Sequence, residues 1–174
     1  MPIQTRRLEL LPCSVQVAQA IARNRVDVET LLGLRVSDDW PALDLQEFLP
    51  VYVQQLEADP SLLGWGFWLM VHRTDQEIIG DLGFKGRPDT EGTVEIGYSV
   101  VPEYRRQGYA VEAVRALVDW AFAQQDVKRI TAECDLDNAP SIRILEKLGL
   151  QRLETDGNLL KWKLKKATEV DKGR

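Results

Sequence analysis

The chain has 174 residues, a length that suits one compact domain able to bury its own core without a disulfide or a structural metal. Apolar residues make up 44% and charged residues 28%, which excludes wholesale disorder, and a net charge of −5 disfavours sequence-independent nucleic-acid binding, where Lys and Arg must replace counterions. Met1 to Arg7 lack the apolar segment of a signal peptide and no apolar run reaches the roughly 18 residues of a membrane span, so no membrane partner and a cytoplasmic location are expected. Cys13 and Cys134 lack CxxC spacing and the single histidine, His72, cannot complete a cluster with them, so neither a disulfide nor a metal site is expected.

Thr5 to Leu11 alternates Leu8 and Leu10 with Arg7 and Glu9, which predicts a first strand ended by Pro12. Ser14 is placed to cap a helix carrying Val15, Ala18, Ile21 and Ala22 on one face. Leu31 to Pro50, broken by Gly33, Pro41 and Pro50, reads as loop and short turns before a helix over Val51 to Ala58. Trp65 to Arg73 and Glu77 to Lys85 predict a hairpin turned at Thr74-Asp75-Gln76. Thr93 to Val101 predicts the next strand, with Val94, Ile96, Tyr98 and Val100 on one face and Glu95, Gly97, Ser99 and Val101 on the other.

After Pro102 a helix is predicted from Gly108 to Gln124, then a strand from Val127 to Cys134. Asn138-Ala139-Pro140 opens a helix that runs to Leu148 and stops at Gly149. A last hairpin pairs Leu150 to Glu154 with Leu159 to Leu164 across Asp156-Gly157. No repeat or linker divides the chain, so a single domain over residues 1–166 with a polar tail over 167–174 is expected.

The stretch Val100-Val101-Pro102-Glu103-Tyr104-Arg105-Arg106-Gln107-Gly108-Tyr109-Ala110 passes from a strand through a basic turn into a helix. Such a turn can bind an anion. The first N–H groups of a helix have no intrahelical acceptor and lie at the positive end of its dipole, Gly108 admits close approach of a phosphate, and Arg105 and Arg106 add charge. A P-loop is absent, and Arg106 and Val111 stand where GxGxxG needs glycines, which disfavours a nucleotide triphosphatase or a Rossmann dehydrogenase.

Arg105-Arg106-Gln107-Gly108-Tyr109-Ala110 resembles the [QR]xxGx[GA] signature of the GNAT superfamily of acyl-CoA-dependent N-acyltransferases. Asn138-Ala139-Pro140-Ser141, continuing to Glu146-Lys147-Leu148-Gly149-Leu150, is similar to that superfamily's NxxSxxxxEKxGF segment. The resemblance extends over Thr5-Arg6-Arg7-Leu8-Glu9-Leu10, Ile79-Gly80 and Glu95-Ile96-Gly97-Tyr98, and is greatest to the branch containing ribosomal-protein N-terminal acetyltransferases. It implies a mixed α/β (α+β) GNAT fold: a central, mostly antiparallel twisted sheet flanked by helices.

It further implies that acetyl-CoA is the acyl donor, with no metal, and that an amine of a protein N-terminus or small molecule is the acceptor. The turn from Arg105 through Arg106, Gln107, Gly108 and Tyr109 to Ala110 would cradle the pyrophosphate, while the main chain of Val100 and Val101 would hold the pantetheine arm. One of those N–H groups would donate to the oxyanion. Glu95 matches by resemblance a glutamate that acts as general base, needed because amines have reference pKa values of ~8 to ~10.4. A strand Glu of this kind also serves simply as an ion-pair partner.

Ser141 would hydrogen-bond or protonate the departing thiolate, against an alternative role as a cap. Asn138 would contact the cofactor arm or cap its helix. Many relatives place a Tyr acid where this chain has Leu145, a departure that shifts weight onto Ser141 or water. Trp40, Trp65 and Trp68 are expected in the core, Cys134 is expected as a core thiol, and His72 is given no catalytic role. The competing reading is a catalytically inactive acyl-CoA-binding regulatory or interaction module. Exposed strands leave a homodimer open.

Overall fold

The computed structural model describes residues 1–167; the tail expected from residue 167 onward therefore lies, but for its first residue, outside the described residues. Strands β1 (Ile3–Gln4) and β2 (Leu8–Pro12) open the chain, followed by helices α1 (Val15–Arg23) and α2 (Arg25–Leu32), the short strand β3 (Arg35–Val36) and helix α3 (Leu43–Ala58). Strands β4 (Phe67–His72), β5 (Glu77–Phe84) and β6 (Thr93–Val100) lead into helix α4 (Tyr109–Phe122). Strand β7 (Arg129–Asp135), helix α5 (Ala139–Lys147) and strands β8 (Gln151–Asp156) and β9 (Leu159–Lys165) complete it.

The strands form one sheet in the order β1-β2-β4-β5-β6-β7-β9-β8, with β3 joining the start of β5. Pairing is antiparallel except at β3–β5 and β6–β7. This is the mostly antiparallel, helix-flanked sheet that the resemblance implied. The even-numbered face of β6 packs toward α4: Phe84, opposite Ile96, lies near Trp120 of α4, with Trp65 and Trp68 completing an aromatic cluster. The odd-numbered face turns toward α3, whose Tyr52 packs on Phe67 and donates its hydroxyl to the Cys13 carbonyl at 2.6 Å.

The segment from Leu31 to Pro50, expected to be loop and short turns, instead holds the end of α2, β3 and the first half of α3. Asn24 caps α2 by accepting from the Asp27 N–H, and Gly33 ends it in the left-handed region at φ 67°. Pro50 lies inside α3, where it removes one hydrogen bond to the preceding turn. Leu49, Tyr52 and Leu56 on the inward face are buried and hold the helix across it, while Pro50 itself is exposed. Local propensity favoured a break; tertiary burial overrode it.

Candidate active site

Strands β6 and β7 pair only over Thr93–Glu95 and Arg129–Thr131. Beyond that point β6 continues to Val100 and β7 to Asp135 without pairing with each other, which leaves a wedge-shaped gap in the sheet. On its other edge β6 stays bonded to β5, and two bonds fix the phase: Lys85 N–H to Glu95 O at 3.0 Å and Val101 N–H to Ile79 O at 2.9 Å. Antiparallel ladders alternate, so the main-chain groups of Gly97 and Ser99 also face β5, and those of Tyr98 and Val100 face the gap. Val101 therefore spends its N–H on the sheet, and the gap-facing donor at this end is Val100.

The gap leads to the turn. Pro102–Tyr104 form one tight turn, Arg106 adopts φ 62° and Gly108 φ 83°, and α4 begins at Tyr109 without a side-chain cap. Main-chain N–H groups from Arg106 through Val111 find no acceptor among the described residues. A non-glycine residue at positive φ costs of order 1 kcal/mol, and here it shapes a loop of uncommitted donors at the positive end of a helix. Arg106 and Gln107 are exposed, Tyr109 is buried and Ala110 half-buried. The Arg105 side chain folds back, donating from Nε to the Val100 carbonyl at 2.8 Å.

A residue read only as part of the first strand secures this turn. Arg7 donates from Nη1 to Gln107 O at 2.8 Å and from Nε to Glu112 Oε2 at 2.7 Å, and its guanidinium lies 4.2 Å from the Tyr109 ring centroid. Glu112 also accepts from the Arg7 N–H at 2.8 Å and the Thr5 hydroxyl at 2.6 Å. Burial works to raise the Glu112 pKa, but these donors outweigh it and hold the carboxyl below its ordinary range. Below the turn, His72 accepts at Nδ1 from the Asp75 N–H, which assigns its Nε2–H to the Tyr109 hydroxyl 2.9 Å away. His72 thus supports the turn from behind.

On the far side of the gap, Asn138 caps α5 by accepting from the Ser141 N–H at 3.2 Å. Ser141 is half-buried and neighbours Tyr98, whose side chain rises from β6 on the α4 face. Leu145 is fully buried, and Cys134 is buried on the sheet opposite Leu160.

The odd-numbered face of β6 carries Glu95, Gly97 and Ser99. Glu95 is paired with the exposed Lys85 at the rim. Gly97 is exposed, and a Cβ there would meet nothing within 4 Å, so the surface in front of it is open. Across the ladder from Ser99 stands Asp81, which accepts from Trp40 Nε1 at 2.8 Å. Burial pushes the Asp81 carboxyl up to about 6, with the Trp40 hydrogen bond opposing. Sequence reading missed Asp81, because alternation gave no reason to single out one carboxylate in a buried strand. Among the described residues no group of His, Cys, Asp and Glu could hold a metal ion, and no helix is long and apolar enough to cross a membrane.

An unpaired strand edge with a loop of free N–H donors at its end suits a ligand that joins an amide-bearing arm to an anionic group. Residues 7–151 match the family described as the acetyltransferase (GNAT) domain. The chain is 35% identical to the uncharacterised N-acetyltransferase YjdG of Bacillus subtilis (strain 168), across 84% of this chain and 88% of that one. It is 30% identical to the uncharacterised N-acetyltransferase p20 of Bacillus licheniformis, across 86% and 82%.

Among solved structures, RimL, a ribosomal L7/L12 alpha-N-protein acetyltransferase in complex with coenzyme A, superposes with a TM-score of 0.67 at 19% identity over 95% of this chain and 98% of that one. The ribosomal-protein-S5-alanine acetyltransferase of Vibrio fischeri gives 0.66 at 17% identity over 95% and 96%. At such identities these structures speak for the fold. The match over residues 7–151 and the identity to YjdG carry the conclusion that this chain belongs to the GNAT family and is an acyl-CoA-dependent acetyltransferase.

Proposed function

We propose that the protein transfers an acetyl group from acetyl-CoA to a primary amine of a protein N-terminus or small molecule. The supporting observation is the parting of β6 from β7 directly beside the uncommitted N–H groups of the turn before α4. Acetyl-CoA, when bound, supplies the thioester that the amine attacks. The turn from Arg106 to Ala110 holds the pyrophosphate with main-chain donors, Arg106 adds charge, and Arg105 braces the end of β6. Gln107 serves through its main chain, since its carbonyl is held by Arg7 and its side chain donates to the Glu103 carbonyl.

Val100 and Tyr98 offer main-chain groups to the pantetheine arm, and an N–H in this row donates to the developing oxyanion. Val101 contributes its buried side chain behind them. The acceptor arrives on the opposite face, over exposed Gly97. Glu95 takes the amine's proton through water after releasing Lys85, and the half-buried Ser141, its N–H fixed by Asn138, hydrogen-bonds the departing sulfur. Likeness to the RimL and S5-alanine acetyltransferase folds favours a protein N-terminus as the first acceptor to try.

Calorimetric titration with acetyl-CoA, followed by a screen of N-terminal peptides and small primary amines, tests the assignment. Glu95→Gln should leave acetyl-CoA affinity unchanged while lowering turnover about 10²-fold, the usual worth of a general base. Unchanged turnover in that variant would remove Glu95 from the mechanism. Absence of acetyl-CoA binding by the folded parent would overturn the proposal as a whole.

A further inference from the structure

Tyr98 carries an anomaly. Its hydroxyl oxygen is shielded from solvent and closes no hydrogen bond with any described residue. Burying a hydroxyl without a partner is costly, and such groups in native proteins call for an explanation. The surroundings supply one. Tyr98, like Val100, is a β6 residue whose main chain faces the gap, and its ring leaves the strand on the α4 side, with Ser141 and Cys134 as neighbours. Ser141 is a hydrogen-bonding neighbour of the phenol, but the two side chains do not meet in the geometry of a formed bond.

We propose that the Tyr98 hydroxyl is a cofactor-binding group that donates a hydrogen bond to the sulfur of the acyl donor in the β6–β7 gap. This rests on the acetyl-CoA reading above. When the carbon–sulfur bond breaks, its electron pair stays on sulfur, and the hydrogen bond to the phenol becomes charge-assisted and stronger. Burial, the largest influence on the phenol, raises its pKa, with Ser141 pulling the other way, so the group stays protonated as a donor while the thiolate forms. The proton lost by the amine is the one that finally neutralises sulfur.

In a tyrosine retained for packing alone, the hydroxyl would affect neither cofactor affinity nor sulfur ionisation. In a tyrosine whose partner is the ligand, Tyr98→Phe removes an unsatisfied group from the ligand-free protein and a contact from the bound one.

The test uses the full chain and coenzyme A itself, with no acceptor needed. Bound thiol is titrated by difference absorbance of the thiolate, alongside calorimetric affinity and the melting temperature of the ligand-free protein. Tyr98→Phe should raise the pKa of the bound thiol by about one pH unit, weaken coenzyme A several-fold at a pH where the thiolate is bound, and leave the ligand-free melting temperature unchanged or higher. An unaltered thiol titration in a variant that still binds coenzyme A would overturn the proposal while leaving the acetyl-CoA reading intact. Weaker affinity with an unaltered titration would also overturn it, moving the contact from sulfur to the arm's amides. A parent that binds no coenzyme A would overturn both.

Discussion

Strand β6 separates two regions built on different principles. On the side proposed for the cofactor, a turn of uncommitted N–H groups and an unpaired strand edge offer main-chain atoms at Tyr98, Val100 and Arg106 to Val111. On the side proposed for the acceptor, the surface around Gly97 is framed by side chains from distant segments: Glu95 and Ser99 from β6, Asp81 from β5, and Trp40 from the loop before α3. Main-chain recognition tolerates many side chains, so the first region can stay alike among proteins that share a donor. Side-chain recognition depends on each residue, so the second can change with the acceptor.

The largest effect should come from Gly108→Asp. A carboxylate at φ 83°, beside the Arg7 guanidinium, both strains the turn and repels phosphate. Acetyl-CoA affinity should fall at least ~10²-fold by calorimetry; a loss under tenfold would break the view that main-chain donors dominate this side.

Arg7→Ala should come next, because it takes the guanidinium from Glu112 and releases the Gln107 carbonyl. A loss of about 1–3 kcal/mol in denaturant unfolding is expected, with weaker acetyl-CoA binding. The Glu112 carboxyl is held low in the folded protein, so its contribution is present above the ordinary carboxylate pKa and disappears as pH falls through the lowered folded value. The gap in stability between parent and variant should therefore narrow in acid. A gap independent of pH would assign the loss to packing.

Asp81→Asn probes the other side with the opposite sign. A carboxyl raised to about 6 when folded binds protons that the unfolded chain has released, so parent stability declines as pH rises from about 4 to about 6 and then levels. The amide removes that decline and should stabilise the protein at pH 7.5 by up to ~3 kcal/mol, the worth of about two pH units. Acetyl-CoA affinity should stay unchanged while acceptor turnover falls. Equal loss of both would erase the distinction between the two sides. The smallest effect belongs to Lys85→Met: an exposed ion pair contributes little, and stability should stay within ~0.5 kcal/mol of the parent.

The same contrast explains what could be read from sequence. Arg105 to Ala110 and Asn138 to Ser141 were legible because each motif forms its own local structure: a strand end, a turn and a helix start lie within one short stretch. The phase of β6 was legible too, since alternation separates Glu95 from Tyr98. What alternation could not reveal was which N–H groups β5 had already taken, and Val101 lost its donor there to Ile79. Helix α3 was misread because Pro50 is a local signal for a break, whereas Leu49, Tyr52 and Leu56 hold the helix through contacts with distant strands. Asp81 and Arg7 owe their environments to partners 41 and 105 positions away, beyond the reach of any short pattern.

The Arg7 contacts also set an order of events during folding. Gln107 and Glu112 emerge 100 and 105 residues after the arginine that clasps them, so the turn cannot assume its braced form until that whole stretch has been made. Closing so long a loop is slow compared with forming α4 locally. A nascent chain should thus acquire its helices before it gains affinity for the acyl donor, and removal of the first seven residues should leave a folded sheet with a loosened grip on acetyl-CoA.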